Sequence, residues 1–153
     1  MTKFVQRGGL WVLSQALLLL AAIFLGLRFR GNGGHPVSGI SGGILLAAGA
    51  SIALAGGFAL GRTITPFPEP STQAQLVRSG IFSAVRHPIY AGLVGASTGW
   101  ALFWRSWPAL LMALGLLPFL DAKARREEEW LRERFPEYRE YEASVKKFVP
   151  GIY

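Results

Sequence analysis

No cysteine occurs among the 153 residues, which excludes a disulfide framework, a thiolate metal site and a cysteine nucleophile. Histidine is almost as scarce. His35 and His87 are the only two, too few for a histidine-built metal centre, so no metal is expected. Acidic residues are missing from most of the chain. Before Asp121 the only one is Glu69, whereas Asp121–Tyr153 carries the other eight and half of the sixteen Lys and Arg. Walker and Rossmann glycine fingerprints are also lacking.

What is present is mostly apolar. Hydrophobic residues make up 51% and charged residues 16%, and mean hydropathy is +0.33, outside the usual soluble balance. The length allows one domain. A net charge of +7 raises the question of nucleic acid, but the basic residues flank apolar runs and form no stripe. A basic face against anionic lipid accounts for them, so the expected partner is the bilayer and not nucleic acid.

The apolar runs set the organisation. Leu10–Leu27 is free of charge and bounded by Arg7 and Arg28; at about 1.5 Å per residue it can cross a ~30 Å hydrocarbon layer. Lys3 and Arg7 resemble a signal-peptide n-region, yet the run is long and Arg28-Phe29-Arg30 is no small-residue cleavage site, so a retained span is expected. After a turn-rich loop containing His35, read as solvated, comes a second span, Ile40–Leu60, with small residues at helical spacing that suit close helix packing. Thr63–Pro70 holds three prolines and reads as an irregular connector; Ser71 reads as the cap of a short helix through Arg78.

Ile89–Trp104 and Trp107–Leu120 are apolar but short, joined by Trp104-Arg105-Ser106-Trp107-Pro108, and read as a tight helical hairpin. From Asp121 the pattern is an amphipathic surface helix, broken at Pro136, with a second helix over Glu137–Lys147. The expected fold is therefore all-α: an integral membrane bundle of about four transmembrane helices, the last two a short hairpin, plus cytosolic amphipathic helices covering one end. Starting inside, that topology puts thirteen Lys and Arg on the cytoplasmic side and three (Arg28, Arg30, Arg105) outside. The bias places both termini and the polar segments in the cytoplasm.

Chemistry in such a chain has to sit at the water edge. Arg86 and His87 open the third apolar segment, with Pro88 suited to a first helical turn, where free N–H groups and the helix dipole favour an anion. About forty residues later, Glu127 and Glu128 fall on the same membrane face. An anion-binding helix start beside paired carboxylates suits a zwitterion carrying carboxylate, amine and ribose hydroxyls, as S-adenosyl-L-methionine does. Taken singly, each feature is also what a lipid anchor or a solvated helix face would show.

Leu76-Val77-x-x-Gly80-x-Phe82-x-x-x-Arg86-His87-Pro88-x-Tyr90-x-Gly92, followed by Glu127-Glu128-x-x-Leu131-x-x-x-Phe135 and Tyr138-x-x-Tyr141-x-x-x-Val145-x-x-Phe148-Val149-Pro150, resembles the isoprenylcysteine carboxyl methyltransferase family and its phospholipid N-methyltransferase relatives. The resemblance covers Leu76–Pro150, and Phe135-Pro136-Glu137-Tyr138 is one residue shorter than the family's usual spacing there. It implies a single membrane methyltransferase domain, with two spans and a connector over residues 1–70 and a cofactor-binding catalytic core over 71–153. It also implies bound S-adenosyl-L-methionine and an amphiphilic acceptor, an isoprenylcysteine-like carboxylate or a phospholipid amine. Gly80, His87, Pro88, Tyr90, Glu127 and Glu128 would form the cofactor site, and Arg86 and Glu127 the catalytic pair, with Arg86 on the acceptor group or the cofactor carboxylate. Tyr138, Tyr141, Phe148 and Tyr153 read as packing and interfacial anchors, and Gly92, Gly95 and Gly99 as a face open to another helix or a lipid tail. Two rivals stand beside this. Sterol-type reductases, which use NADPH, share a His-Pro-x-Tyr turn and a similar chain ending; a non-enzymatic membrane scaffold would keep the motifs as structure alone.

Overall fold

A computed structural model describes residues 3–31, 36–69 and 75–153. His35 lies outside them, as does the start of the segment from Ser71; residues 75–78 are irregular rather than helical. A short helix α1 (Lys3–Gln6) leads into α2 (Gly9–Arg28), α3 (Pro36–Leu60), α4 (Pro88–Phe103), α5 (Trp107–Arg134) and α6 (Tyr138–Ser144), with single 3-10 turns at Gly61–Thr63 and Gly80–Ser83. No strand occurs among the described residues; one isolated parallel bridge joins Val85 to Lys146.

Three of these helices, within Gly9–Arg28, Val37–Thr63 and Trp107–Arg134, are long and apolar enough to cross a membrane. Their large side chains point away from the bundle. Leu17 is 66% exposed and Phe58 82%, as suits a hydrocarbon surround. The fourth long helix, α4, has 16 residues, about 24 Å, and sits in the middle.

The helices alternate in direction, and contacts identify the two ends. At one end Gly31 donates its N–H to Trp104 O, and the Arg30 guanidinium lies 4.1 Å from the Trp104 ring. The α4–α5 turn there is tight: Arg105 adopts φ 54°, and Ser106 caps α5 through Ala109 N while donating its hydroxyl to Leu25 O at 3.0 Å. Arg28, Arg30 and Arg105 thus gather at this end. The acidic tail, Arg86 and Lys123 gather at the other.

The small-residue stripes meet each other. A Cβ on Gly49 would lie 2.3 Å from Ala96 N, one on Gly92 2.5 Å from Ala53 N, and one on Gly99 2.2 Å from Leu46 N. The α3 and α4 backbones touch along their length, as small faces allow in lipid. Of the two occupants expected beside Gly92 and Gly99, another helix or a lipid tail, the structure has the helix: α3 fills that face.

A correction concerns the tail. The last span does not stop at Leu120; α5 runs unbroken for 28 residues to Arg134, with Pro118 inside it. Pro118 removes one backbone hydrogen bond, but the helix on either side is packed, with Leu116, Leu120 and Ala124 each at most 1% exposed. Packing therefore carries the helix past the point where the apolar pattern ends. Its apolar half lies in the bundle, and its charged half stands above the site.

Candidate functional site

The chain around Arg86 is fixed by the tail. Arg86 N donates to Lys146 O at 2.8 Å and His87 N to Lys147 O at 3.0 Å. The N–H of His87, the N-cap residue, is therefore occupied, and Pro88 has none. Arg86 Nε and Nη2 donate to Glu128 Oε1 at 3.1 and 2.9 Å, and Nη1 donates to the carbonyls of Glu142 and Val145. Those carbonyls belong to the last turn of α6 and the residue after it, where backbone acceptors lack helical partners. Arg86 thus closes the C-terminus of α6, where a cation also complements the helix dipole, and pairs with a carboxylate only 2% exposed.

The two glutamates, adjacent in sequence, face different ways. Glu128 is buried behind the site and also meets His87 Nε2 at 3.0 Å. An ionised carboxylate accepts only, so Nε2 carries a proton, and in the neutral tautomer that this selects the lone pair is on Nδ1. Glu127 is 28% exposed and lies 3.8 Å from that Nδ1, and its Oε2 accepts from the Tyr90 hydroxyl at 2.9 Å. Tyr90 and His87 stack with planes 2° apart and centroids separated by 5.4 Å, while Phe148 closes the far edge of the imidazole at 6.1 Å.

In front of these groups is a cavity of about 410 Å³, within the ~300–1,000 Å³ of small-molecule sites. Arg86, His87, Pro88, Tyr90 and Glu127 line it together with the apolar Leu60, Ile64, Leu76, Val77 and Phe82. Apolar walls with a few converging polar groups are the usual make-up of a cofactor or ligand site. Of the residues expected in the cofactor site, Gly80 and Glu128 do not line it. Gly80 adopts φ 63° and starts the 3-10 turn that ends beside Phe82, a backbone role that glycine performs without strain. Glu128 acts through Arg86 and His87.

Lys123 and Gln15 line the cavity with no role assigned from the sequence, and Tyr138 lines it where only packing was expected. Lys123, Glu127 and Leu131 recur every four residues and so share one face of α5; that spacing was a readable signal. Gln15, on α2, carried none. Tyr138, read as a packing anchor, is 1% exposed, yet its hydroxyl has no hydrogen-bond partner among the described residues. An unpaired buried hydroxyl costs about 1–3 kcal/mol, and this one borders the cavity. Burial and the nearby Glu128 charge also raise its pKa well above the usual phenol value, so it stays a donor. Tyr141 fits the packing role: its hydroxyl donates to Phe82 O at 2.6 Å, and burial pushes its pKa up to about 12. Tyr153 likewise ties to Asp121 at 3.0 Å.

A helical membrane bundle whose polar side chains converge on one cavity at one end has the form of a small integral membrane enzyme. Residues 37–138 match the family model of phospholipid methyltransferases, more than half of the chain, so the chain belongs to that family of methyltransferases. No curated protein matches it.

Proposed function

We propose that the protein is an S-adenosyl-L-methionine-dependent methyltransferase that modifies an amphiphilic acceptor at the cytoplasmic membrane surface. The observation that carries this reading is the convergence of His87, Tyr90 and Glu127 on a single cavity lined by the unpaired Tyr138 hydroxyl. The donor set fits such a cofactor. Glu127 offers carboxylate lone pairs to an amine or ribose hydroxyls, Tyr138 offers an O–H, and Leu76, Val77 and Phe82 offer apolar surface to a flat ring. When bound, the cofactor supplies a methyl group already activated on a sulfonium.

The task left to the chain is alignment and exclusion of water. The family match favours a phospholipid amine over a carboxylate as acceptor. An amine reacts through its free lone pair, so it must release a proton. His87 is suited to receive it at Nδ1, because Glu128 holds the ring by Nε2–H and stabilises the imidazolium that results. Arg86 then serves as a positioning residue, holding Glu128 and the end of α6. The basic bias toward the site end, thirteen against three, supports a cytoplasmic site and cytoplasmic termini.

The test is binding of S-adenosylhomocysteine to the detergent-purified chain. Glu127→Gln and His87→Ala should each weaken it about 10- to 100-fold, as expected for removing a hydrogen bond to a charged group. Native affinity in both variants would remove these residues from the cofactor site. Stabilisation by NADPH instead would favour a reductase, and stabilisation by neither a scaffold.

A further inference from the structure

Lys123 is 1% exposed and lines the cavity, yet both of its acceptors are neutral. Its Nζ donates to Gln15 Oε1 at 2.6 Å and to Pro66 O at 2.9 Å, and lies 5.3 Å from the Tyr90 ring centroid. An ammonium has three donors, and the third has no protein acceptor among the described residues. The nearby carboxylates make no hydrogen bond to it among the described residues. Glu127 accepts from Tyr90, Glu128 faces Arg86 and His87, and Asp121 takes Lys147 and Arg125. A buried charge normally has a counter-charge, because desolvation costs several kcal/mol per ion. Here no carboxylate among the described residues bonds the ammonium directly; Glu127 acts on it only through space, and the cavity that it lines has room for an anionic group.

We propose that Lys123, held in place by Gln15 and the Pro66 carbonyl, is the anion-binding residue of this cavity and takes the anionic oxygens of its ligand, the carboxylate of the methyl donor or the phosphate of the lipid acceptor. The inference rests on the ligand cavity assigned above and adds its positive pole. Lys123 and Glu127 are one turn apart on α5, about 6 Å of rise, so the cavity wall presents a cation and an anion at the spacing of a compact zwitterion. Tyr90 meets both, its ring face 5.3 Å from the lysine Nζ and its hydroxyl donating to Glu127 at 2.9 Å.

Lys123→Met removes the charge and the donors; Lys123→Gln removes the charge and keeps an N–H for Gln15 and Pro66. Both are compared with the native chain in detergent, using S-adenosylhomocysteine, its decarboxylated analogue, and micelles containing either phosphatidylethanolamine or diacylglycerol. If Lys123 holds the donor carboxylate, the native protein prefers S-adenosylhomocysteine to the decarboxylated analogue by about tenfold, and the variants bind the two alike. If it holds the lipid phosphate, the variants keep that preference and lose the native preference for phosphatidylethanolamine. Either result supports the assignment. Variants that keep both preferences overturn it, as does equal weakening of all probes or failure of both variants to fold, since the lysine would then be a structural tie. A native chain that binds no probe would instead overturn the methyl-donor reading, a different outcome from native binding with unchanged variants.

Discussion

Along the α3–α4 seam, Gly42, Gly49, Gly92 and Gly99 bring two backbones into contact with no charged group between them. At the site end, Arg86, His87, Glu128, Arg132 and Glu142 form one connected set of ion pairs and hydrogen bonds joining the start of α4, the end of α5 and α6. The seam gains from dispersion, and nothing in it has a polar need that lipid could fail to meet. The ionic end has the opposite property, because each group depends on the others remaining in place. The difference teaches where tolerance lies. Lipid-facing positions of the seam helices should accept almost any apolar residue, while the charged cluster should accept few changes.

The sharpest break in that comparison is Glu128→Ala. It leaves Arg86, whose side chain is 8% exposed, facing an empty site and frees His87 Nε2. Removing one partner of a buried pair costs about 3–5 kcal/mol. Glu142 Oε1, 3.8 Å from Arg86 Nη2, limits the loss without replacing two direct hydrogen bonds. Thermal unfolding in detergent should show a large drop, together with loss of S-adenosylhomocysteine binding as the His87 ring loses its anchor. A variant as stable as the native chain would mean the cluster is ornamental.

Next in size is Gly92→Val in the seam. Its branched side chain would meet Ala53 N and Gly49 O at 2.5 Å, so the two helices must separate. Overpacking of this kind costs about 1–3 kcal/mol. It should lower the unfolding temperature while leaving ligand affinity in the surviving folded fraction close to native, unlike the Glu128 change. A parallel loss of affinity at constant stability would show that the seam sets the cavity's shape.

How much of this was legible follows the same division. The seam was readable, because apolar runs and small residues at helical spacing state their own geometry; which of two occupants, a helix or a lipid tail, takes the Gly92 face was left open. Arg86, His87, Tyr90 and Glu127 were legible as polar residues at one water edge of the apolar segments, and all four line the cavity there. The inward turn of Glu128 was not, since adjacent residues on a helix differ by about 100° and sequence cannot say which faces the core. Nor was the capping of α6 by Arg86, which depends on a fold-back of more than fifty residues. The continuity of α5 was hidden by its own composition: charges after Leu120 look like the end of a span, and only packing shows that the helix continues.

The smallest effect should come from the rim of the ionic cluster, where water screens the charges. Arg132 donates to both oxygens of Glu142, at 2.8 and 2.6 Å, and this guanidinium is the main reason the Glu142 carboxyl titrates below its usual range. A carboxyl whose pKa is lower in the folded state contributes stability above its unfolded value, and that contribution fades as pH falls through the folded one. Partly exposed pairs of this kind are worth up to about 1 kcal/mol. The native chain should therefore exceed Glu142→Gln in stability by about 0.5 kcal/mol near neutral pH, with the gap shrinking below the ordinary value of 4.5. Added salt should shrink it as well. A gap that holds constant from pH 7 to acid would mean that Glu142 acts by shape and hydrogen bonding alone, and the ionic character of the cluster would then end at Glu128.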